Sequence, residues 1–296
     1  MKKILLLLAG VTLISLCSPV LAQMPGPPPV LLVVREDIKP GKMPAHNRHS
    51  ASFAEIFAKL QVPTHRIAMV PVAGSENEVV YVTPFASFAE MAESQNGTDK
   101  KMAAAANTGM KGELDRLDKE AADLHAGMRD MFTVIRPELS YNAGVDMAPM
   151  RYFAVTTVRV RPGQTDDYAE MMKLINAARD KAKVELHVAA FQVIAGAPAT
   201  TYLLFRPMKS LAEYDLKIGT RTRDAMSEDQ RKKADKLSES IAFSETSVYA
   251  FDPQMSYVPK EMAARDAAFW TRKPAPIMRR VPKKKMTAPA AEPKQQ

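Results

Sequence analysis

Along this chain, short runs of alternating or unbroken apolar residues give way to a period near 3.6 and then return, and the whole series occurs twice. In the first pass, a β-branched apolar run over residues 30–38 predicts a strand, and Pro40-Gly41 ends it in a turn. Phe53, Ile56, Phe57 and Leu60 then fall at i, i+3, i+4 and i+7, the stripe of an amphipathic helix. Runs at 66–72 and 79–83 predict two strands joined by a short turn. Ser87 stands three residues before Glu90, a capping box in which the hydroxyl satisfies an early helix N–H and the glutamate reaches back. A helix over 111–128 and a last strand reaching Pro137 complete the pass. The second pass repeats it: a strand over 152–160, Pro162-Gly163, a stripe of Tyr168, Met171, Met172 and Ile175, strands at 188–194 and 201–205, Ser210 before Glu213, and a strand reaching Pro253.

The two passes share residues as well as pattern. With an offset of 122, "VVREDIKPGK" meets "VTTVRVRPGQ", and "HRIAMVPVAG" meets "HVAAFQVIAG", which places His65 on His187. "PFASFAEM" meets "PMKSLAEY" one residue later, and "PELSY" (137–141) answers "PQMSY" (253–257). Four matches in one order are a tandem duplication, and two copies argue against a solenoid. Each copy reads β-α-β-β-α-β, a ferredoxin-like unit. A single unit leaves one sheet face open. Two units predict an α+β fold in which they pack sheet to sheet as a pseudo-symmetric α/β barrel. The expected organisation is a signal peptide (1–22), a Pro-rich linker (23–29), repeat 1 (30–141), a linker (142–151), repeat 2 (152–258), and a short helix with a basic disordered tail (259–296).

A strand containing Val-Arg, then "IKPGK", then an amphipathic helix resembles the dimeric α/β-barrel superfamily, in particular its antibiotic-biosynthesis-monooxygenase and NIPSNAP-like groups. The resemblance covers roughly 30–141 and 152–257 and speaks to fold, because the Pro-Gly turn is structural. It implies a range of activities: cofactor-independent oxygenases, haem-degrading proteins and small-molecule isomerases. No catalytic motif of any branch falls on this sequence, so no family residue is carried over.

Candidate chemistry is sparse. No G-x-S-x-G, H-E-x-x-H, P-loop or G-x-G-x-x-G occurs. His65 and His187 recur at the start of the second strand of each copy and are candidates for a base at a shared cavity, against the plainer reading of inherited residues bonded to backbone. On the first strand, alternation puts Leu31, Val33, Arg35 and Asp37 on one face, matched by Phe153, Val155, Thr157 and Arg159. That mix suits a ligand cavity with Arg35, Asp37, Thr157 and Arg159 as polar handles. The plainer reading sends the charged residues to solvent. His125 falls on the predicted 111–128 helix, and the resemblance implies a candidate axial ligand for haem there. His46 and His49 share a face of the first helix where copy two has Tyr168 and Met171, so they are expected at the wet end of a buried stripe. With no third ligand at suitable spacing, no metal site is expected.

Composition narrows the setting. Lys2 and Lys3, an apolar run over 4–16 and Val20-Leu21-Ala22 have the layout of a secretory signal. Cys17 is the only cysteine and lies within it, so the mature chain would have no disulfide and no thiolate chemistry. The net charge of +8 falls to +6 without Lys2 and Lys3; residues 260–296 carry +7 of that, leaving the body near −1. Basicity is a tail property, and nucleic acid is not an expected partner. Seven Lys/Arg between Arg272 and Lys285 could hold the protein to an anionic membrane or cell-wall surface. Met262, Phe269 and Trp270 are expected on one side of a short helix before that run.

The sequence therefore predicts a periplasmic or secreted barrel that binds a small, largely apolar molecule, with no cofactor required and the oligomeric state open. The alternative is a cofactor-independent monooxygenase or haem-handling enzyme, with His65, His187 or His125 as base or ligand and Arg35 or Arg159 steadying an oxyanion. A second alternative is a non-catalytic surface-associated protein.

Overall fold

The computed structural model describes residues 26–271. The expected signal segment, Cys17 and the basic run 272–285 lie outside the described residues.

Each half builds a four-stranded antiparallel sheet. In the first, β1 (Val30–Ile38) lies between β3 (Glu78–Phe85) and β4 (His125–Ile135), with β2 (Arg66–Ala73) beyond β3. In the second, β5 (Tyr152–Val160) lies between β7 (Thr201–Met208) and β8 (Ile241–Tyr257), with β6 (Ala189–Ala195) beyond β7. The halves then pair at both edges, β2 with β8 and β4 with β6, giving a closed eight-stranded barrel. Closure satisfies the edge N–H and C=O groups that a lone unit would expose. The doubled sequence thus encodes two half-barrels joined along two seams.

Both seams need a glycine. Gly74 and Gly196 occupy equivalent places with φ of +122° and +89°. A Cβ on Gly196 would overlap the Asp130 carbonyl oxygen of β4, and one on Gly74 would overlap the Ser247 side chain of β8. The recurring Ala-Gly pair marks where strands of opposite halves approach too closely for a side chain.

Helices cover the outside. α1 (Met43–Leu60) buries Ile56, and α4 (Thr165–Lys181) buries Tyr168, Met171 and Met172, as the stripes require. α2 (Phe88–Ala105) starts at Ser87, whose hydroxyl accepts from Glu90 N at 3.1 Å. Its counterpart departs from expectation: Ser210 accepts from Ala212 N and caps a 3-10 turn, Leu211–Leu216, rather than an α-helix. α5 (Ile218–Asp224) and α6 (Glu228–Leu237) follow.

The predicted 111–128 helix ends early. α3 spans Lys111–Leu124, and His125 is extended, the first residue of β4. Gly127 has poor helix propensity, and pairing of His125 with Ile38 of β1 rewards the strand instead.

Inside the barrel, Leu31, Val33, Phe153 and Val155 meet Val80, Val82, Leu203, Phe205, Tyr249 and Phe251 in one core. Two short helices, α7 (Lys260–Arg265) and α8 (Ala267–Trp270), close over one end. Phe269 and Trp270 pack on the core, and Trp270 Nε1 donates to the Ala148 carbonyl at 2.9 Å. Met262, Phe269 and Trp270 pack on this core from two helices, where the sequence predicts one.

Candidate functional site

The barrel is layered along its axis. At the end where β1 begins, a cavity of about 670 Å³ is walled by Leu31, Val82, Phe153, Phe191 and Phe205 from both halves. Pro27, Val145, Met147 and Met262 roof it, and His65, Asp146 and Arg265 stand among its few polar residues. Asp146 and Arg265 pair at 3.2 Å across that roof. A mostly apolar, partly open space with a few polar groups is the ordinary form of a small-molecule site. Residues 142–151, expected as a linker, thus supply Val145 and Met147 to the roof of the cavity. Two apolar residues in a supposed linker were the available signal.

Below the cavity the barrel is packed, and its far end is polar. Arg35 Nη1 lies 3.2 Å from Glu78 Oε1, and Arg35 Nη2 donates to Thr157 Oγ1 at 3.3 Å. Tyr249, fully buried, donates its hydroxyl to the other Glu78 oxygen. Burial and the adjacent carboxylate raise the Tyr249 phenol well above its ordinary value. Arg35 and Thr157 are thus brought together inside the barrel, but as a structural plug away from the cavity wall. Asp37 and Arg159, equivalent residues at the rim, are exposed, and Arg159 lies over the Phe243 ring at 5.9 Å. The four proposed handles do not form one ligand site; strand alternation fixed their face but not their height along the axis.

The histidines also separate. His65 lines the cavity and stacks on Tyr257 at 4.6 Å between ring centroids. Burial pushes its imidazole below the ordinary value, against the opposing effects of the Pro63 backbone and Glu261. His187, its repeat partner, donates or accepts only through Nδ1 at 2.6 Å from the Asn142 carbonyl, which makes it a donor there. It is not among the residues lining the cavity. One of the two repeated histidines is at the site.

His46, His49 and His125 meet elsewhere, between α1 and the outer face of the first sheet. His46 is fully buried and His49 nearly so, not at the wet end of the stripe. His46 Nε2 lies 2.7 Å from Glu36 Oε2, and His125 Nε2 lies 3.3 Å from the same oxygen. Burial alone would raise the Glu36 carboxyl, but the His46 hydrogen bond and the charges of His46, His125 and Arg66 hold it below its ordinary value. The fold therefore supplies the partners that sequence spacing lacks, since 89 residues separate Glu36 from His125. Alternation puts Glu36 on the face of β1 opposite Arg35, between Val34 and Ile38, where the apolar neighbours point to packing under a helix rather than to a site.

A second cavity of about 530 Å³ lies under α4, lined by Met171, Ile175, Leu204 and Met226 with Arg179 and Arg206. No histidine lines it. Nor does His125 line either cavity: its Nδ1 donates to the Ala121 carbonyl at 2.8 Å and its Nε2 faces Glu36. The role of axial haem ligand suggested for His125 does not fit this geometry.

No family model matches the sequence, and no curated protein is found similar to it. Solved structures are similar in fold. A candidate monooxygenase from Fusobacterium nucleatum subsp. nucleatum matches with TM-score 0.46 at 11% identity, over 76% of this chain and 93% of its own. An anthrone oxidase-like protein matches with TM-score 0.43 at 10% identity, over 78% and 93%. A mutant chlorite dismutase from Candidatus Nitrospira defluvii matches with TM-score 0.46 at 8% identity, over 80% and 95%. By its own strand order and closed seams, the chain is an α+β barrel of two ferredoxin-like units carried in one polypeptide.

Proposed function

We propose that this is an exported protein that binds one small, largely apolar molecule in the cavity at the mouth of its barrel. The observation that carries the reading is the cavity itself, whose walls are inward-facing residues of both halves. Aromatic and aliphatic side chains supply the affinity, and the Asp146–Arg265 pair and His65 at its edge supply orientation.

The test is titration with an environment-sensitive apolar fluorophore, an anilinonaphthalene sulfonate. Ala189 also lines the cavity, and saturable binding of one probe per chain is expected, lost when Ala189→Trp fills the space while the far-UV spectrum and melting temperature hold. Equal binding by the filled variant removes the reading.

A second reading, oxygenase-type turnover of the bound molecule, has one observation of its own. His65 is at the cavity wall and favours its neutral form, as a general base requires. His65→Gln separates the two: binding survives in both, but turnover is lost only if the imidazole takes a proton.

A further inference from the structure

The Glu36, His46 and His125 cluster carries an inference independent of the mouth cavity. The three residues come from β1, α1 and the first position of β4, and one ligating atom from each lies within 4.8 Å of the others. Both imidazoles present Nε2 to a single carboxylate oxygen.

The other half of the chain shows what the fold itself needs at these places. Glu36 corresponds to Val158 and His46 to Tyr168, each 122 residues later. His125 corresponds to Ile241, because His125 pairs with Ile38 just as Ile241 pairs with the equivalent Val160. Val158 and Tyr168 are buried in an apolar cluster, with Ile241 packed against it. One half fills the space with hydrocarbon and phenol; the other places a carboxylate and two imidazoles there. Burying such groups opposes folding unless they are paired or hold a cation. The scaffold does not demand them.

Proton placement sharpens the point. His125 Nδ1 must carry a hydrogen, because its partner is the Ala121 carbonyl, an acceptor. In the neutral ring Nε2 then holds a lone pair, aimed at the lone pairs of Glu36 Oε2. Fixing the far nitrogen on a backbone carbonyl is the usual way a protein orients a metal-ligating histidine. Among the described residues, the polar partners of His46 are Glu36 and Ser50, both on the Nε2 side, and its buried Nδ1 has none. Ser50 is in turn held by the Tyr81 hydroxyl at 2.7 Å. The lone pairs of His125 Nε2 and Glu36 Oε2 face each other, and His46 Nε2, which donates to the same carboxylate oxygen, becomes a third ligand when its proton moves to the unpartnered Nδ1, so a cation at this point would satisfy all three atoms.

We propose that Glu36, His46 and His125 bind one divalent first-row transition-metal cation. Two imidazoles and one carboxylate suit zinc, iron or cobalt rather than the hard ions calcium and magnesium, which prefer all-oxygen shells. Three protein ligands leave at least one coordination position for water or another molecule. That position has a route to solvent on the side of His125, whose side chain is 22% exposed against 14% for Glu36 and none for His46.

The test uses Co2+ as the probe, added to the full chain after dialysis against chelator, followed by d–d absorption and calorimetry. One equivalent bound, with a visible band of His-coordinated cobalt, is expected. Glu36→Gln, His46→Gln and His125→Gln should each weaken binding at least tenfold, and His187→Gln, distant from the cluster, should not. His125→Gln sits at the partly exposed edge and is the variant best placed to fold; a melting curve confirms that it does. Unchanged cobalt affinity in a folded His125→Gln protein, or no binding by the parent chain, overturns the metal site. The cluster would then be a proton-bridged Glu–His pair.

Discussion

Arg35 hydrogen-bonds to Thr157, the residue exactly one repeat later in the chain and on the opposite wall of the barrel. Equivalent residues can touch only near the axis that relates the halves, so this bond marks the pseudo-twofold axis through the barrel's polar end. Arg35 also holds Glu78, which Tyr249 of the other half satisfies. Replacing Arg35 by Met should leave Glu78 short of a cation and cost about 2 kcal/mol, below the full figure for a buried pair because Arg35 is 23% exposed. Thr157→Val removes one long hydrogen bond and should cost under about 1 kcal/mol. Urea denaturation of both variants checks the ranking; equal losses would contradict it.

The seams make a sharper demand. Gly196→Ala forces a Cβ against the backbone of β4 at a left-handed φ, and should destabilise by at least about 3 kcal/mol or prevent folding. Gly112→Ala, in α3 with open space around it, should be neutral or stabilise by up to about 1 kcal/mol. Expression and thermal melting of the pair test whether closure of the barrel, rather than glycine content, sets the cost.

How much of this was readable beforehand depends on whether the signal was periodic or spatial. The Pro-Gly turns, the stripes and the doubled Ala-Gly pairs are local patterns, and they gave the two units and their order. The barrel follows from the doubled unit, but which edges meet at its seams, β2 with β8 and β4 with β6, does not, because period 2 says which face a residue takes and not which strand lies beside it. Asp37 and Arg159 show the same limit: they share a face with Arg35 but fall beyond the end of the core. His46 carried a usable signal, an imidazole where the repeat has Tyr168, and its meaning depended on Glu36 and His125 folding beside it.

Acid should weaken the fold partly through His65. Its imidazole titrates below the ordinary value in the folded state, so above about pH 6.5 it is neutral in both states and contributes no pH dependence. As pH falls below that, the unfolded chain takes up a proton that the folded chain resists, and stability drops. His65→Phe, which preserves a ring beside Tyr257, should lose less stability than the parent between pH 7.5 and 5.5. Parallel curves for the two proteins would show that His65 is not responsible.

The short helices at the mouth should matter to binding more than to the barrel. Ending the chain at Pro259 removes Met262 and Arg265 from the cavity and Trp270 from the core. Fluorophore affinity should fall at least tenfold, while a cooperative transition survives at a lower temperature. Trp270→Phe keeps most of the packing and loses the bond to Ala148, a loss of about 1 kcal/mol that denaturant melts can resolve.

Native mass spectrometry of the chain, purified without denaturant from the cells that make it, tests the central claim most directly. A single organic molecule per chain, absent from Ala189→Trp and distinct in mass from any metal adduct, is the predicted result. A bare chain, or an adduct equally present in the filled variant, would contradict a ligand site at the barrel mouth.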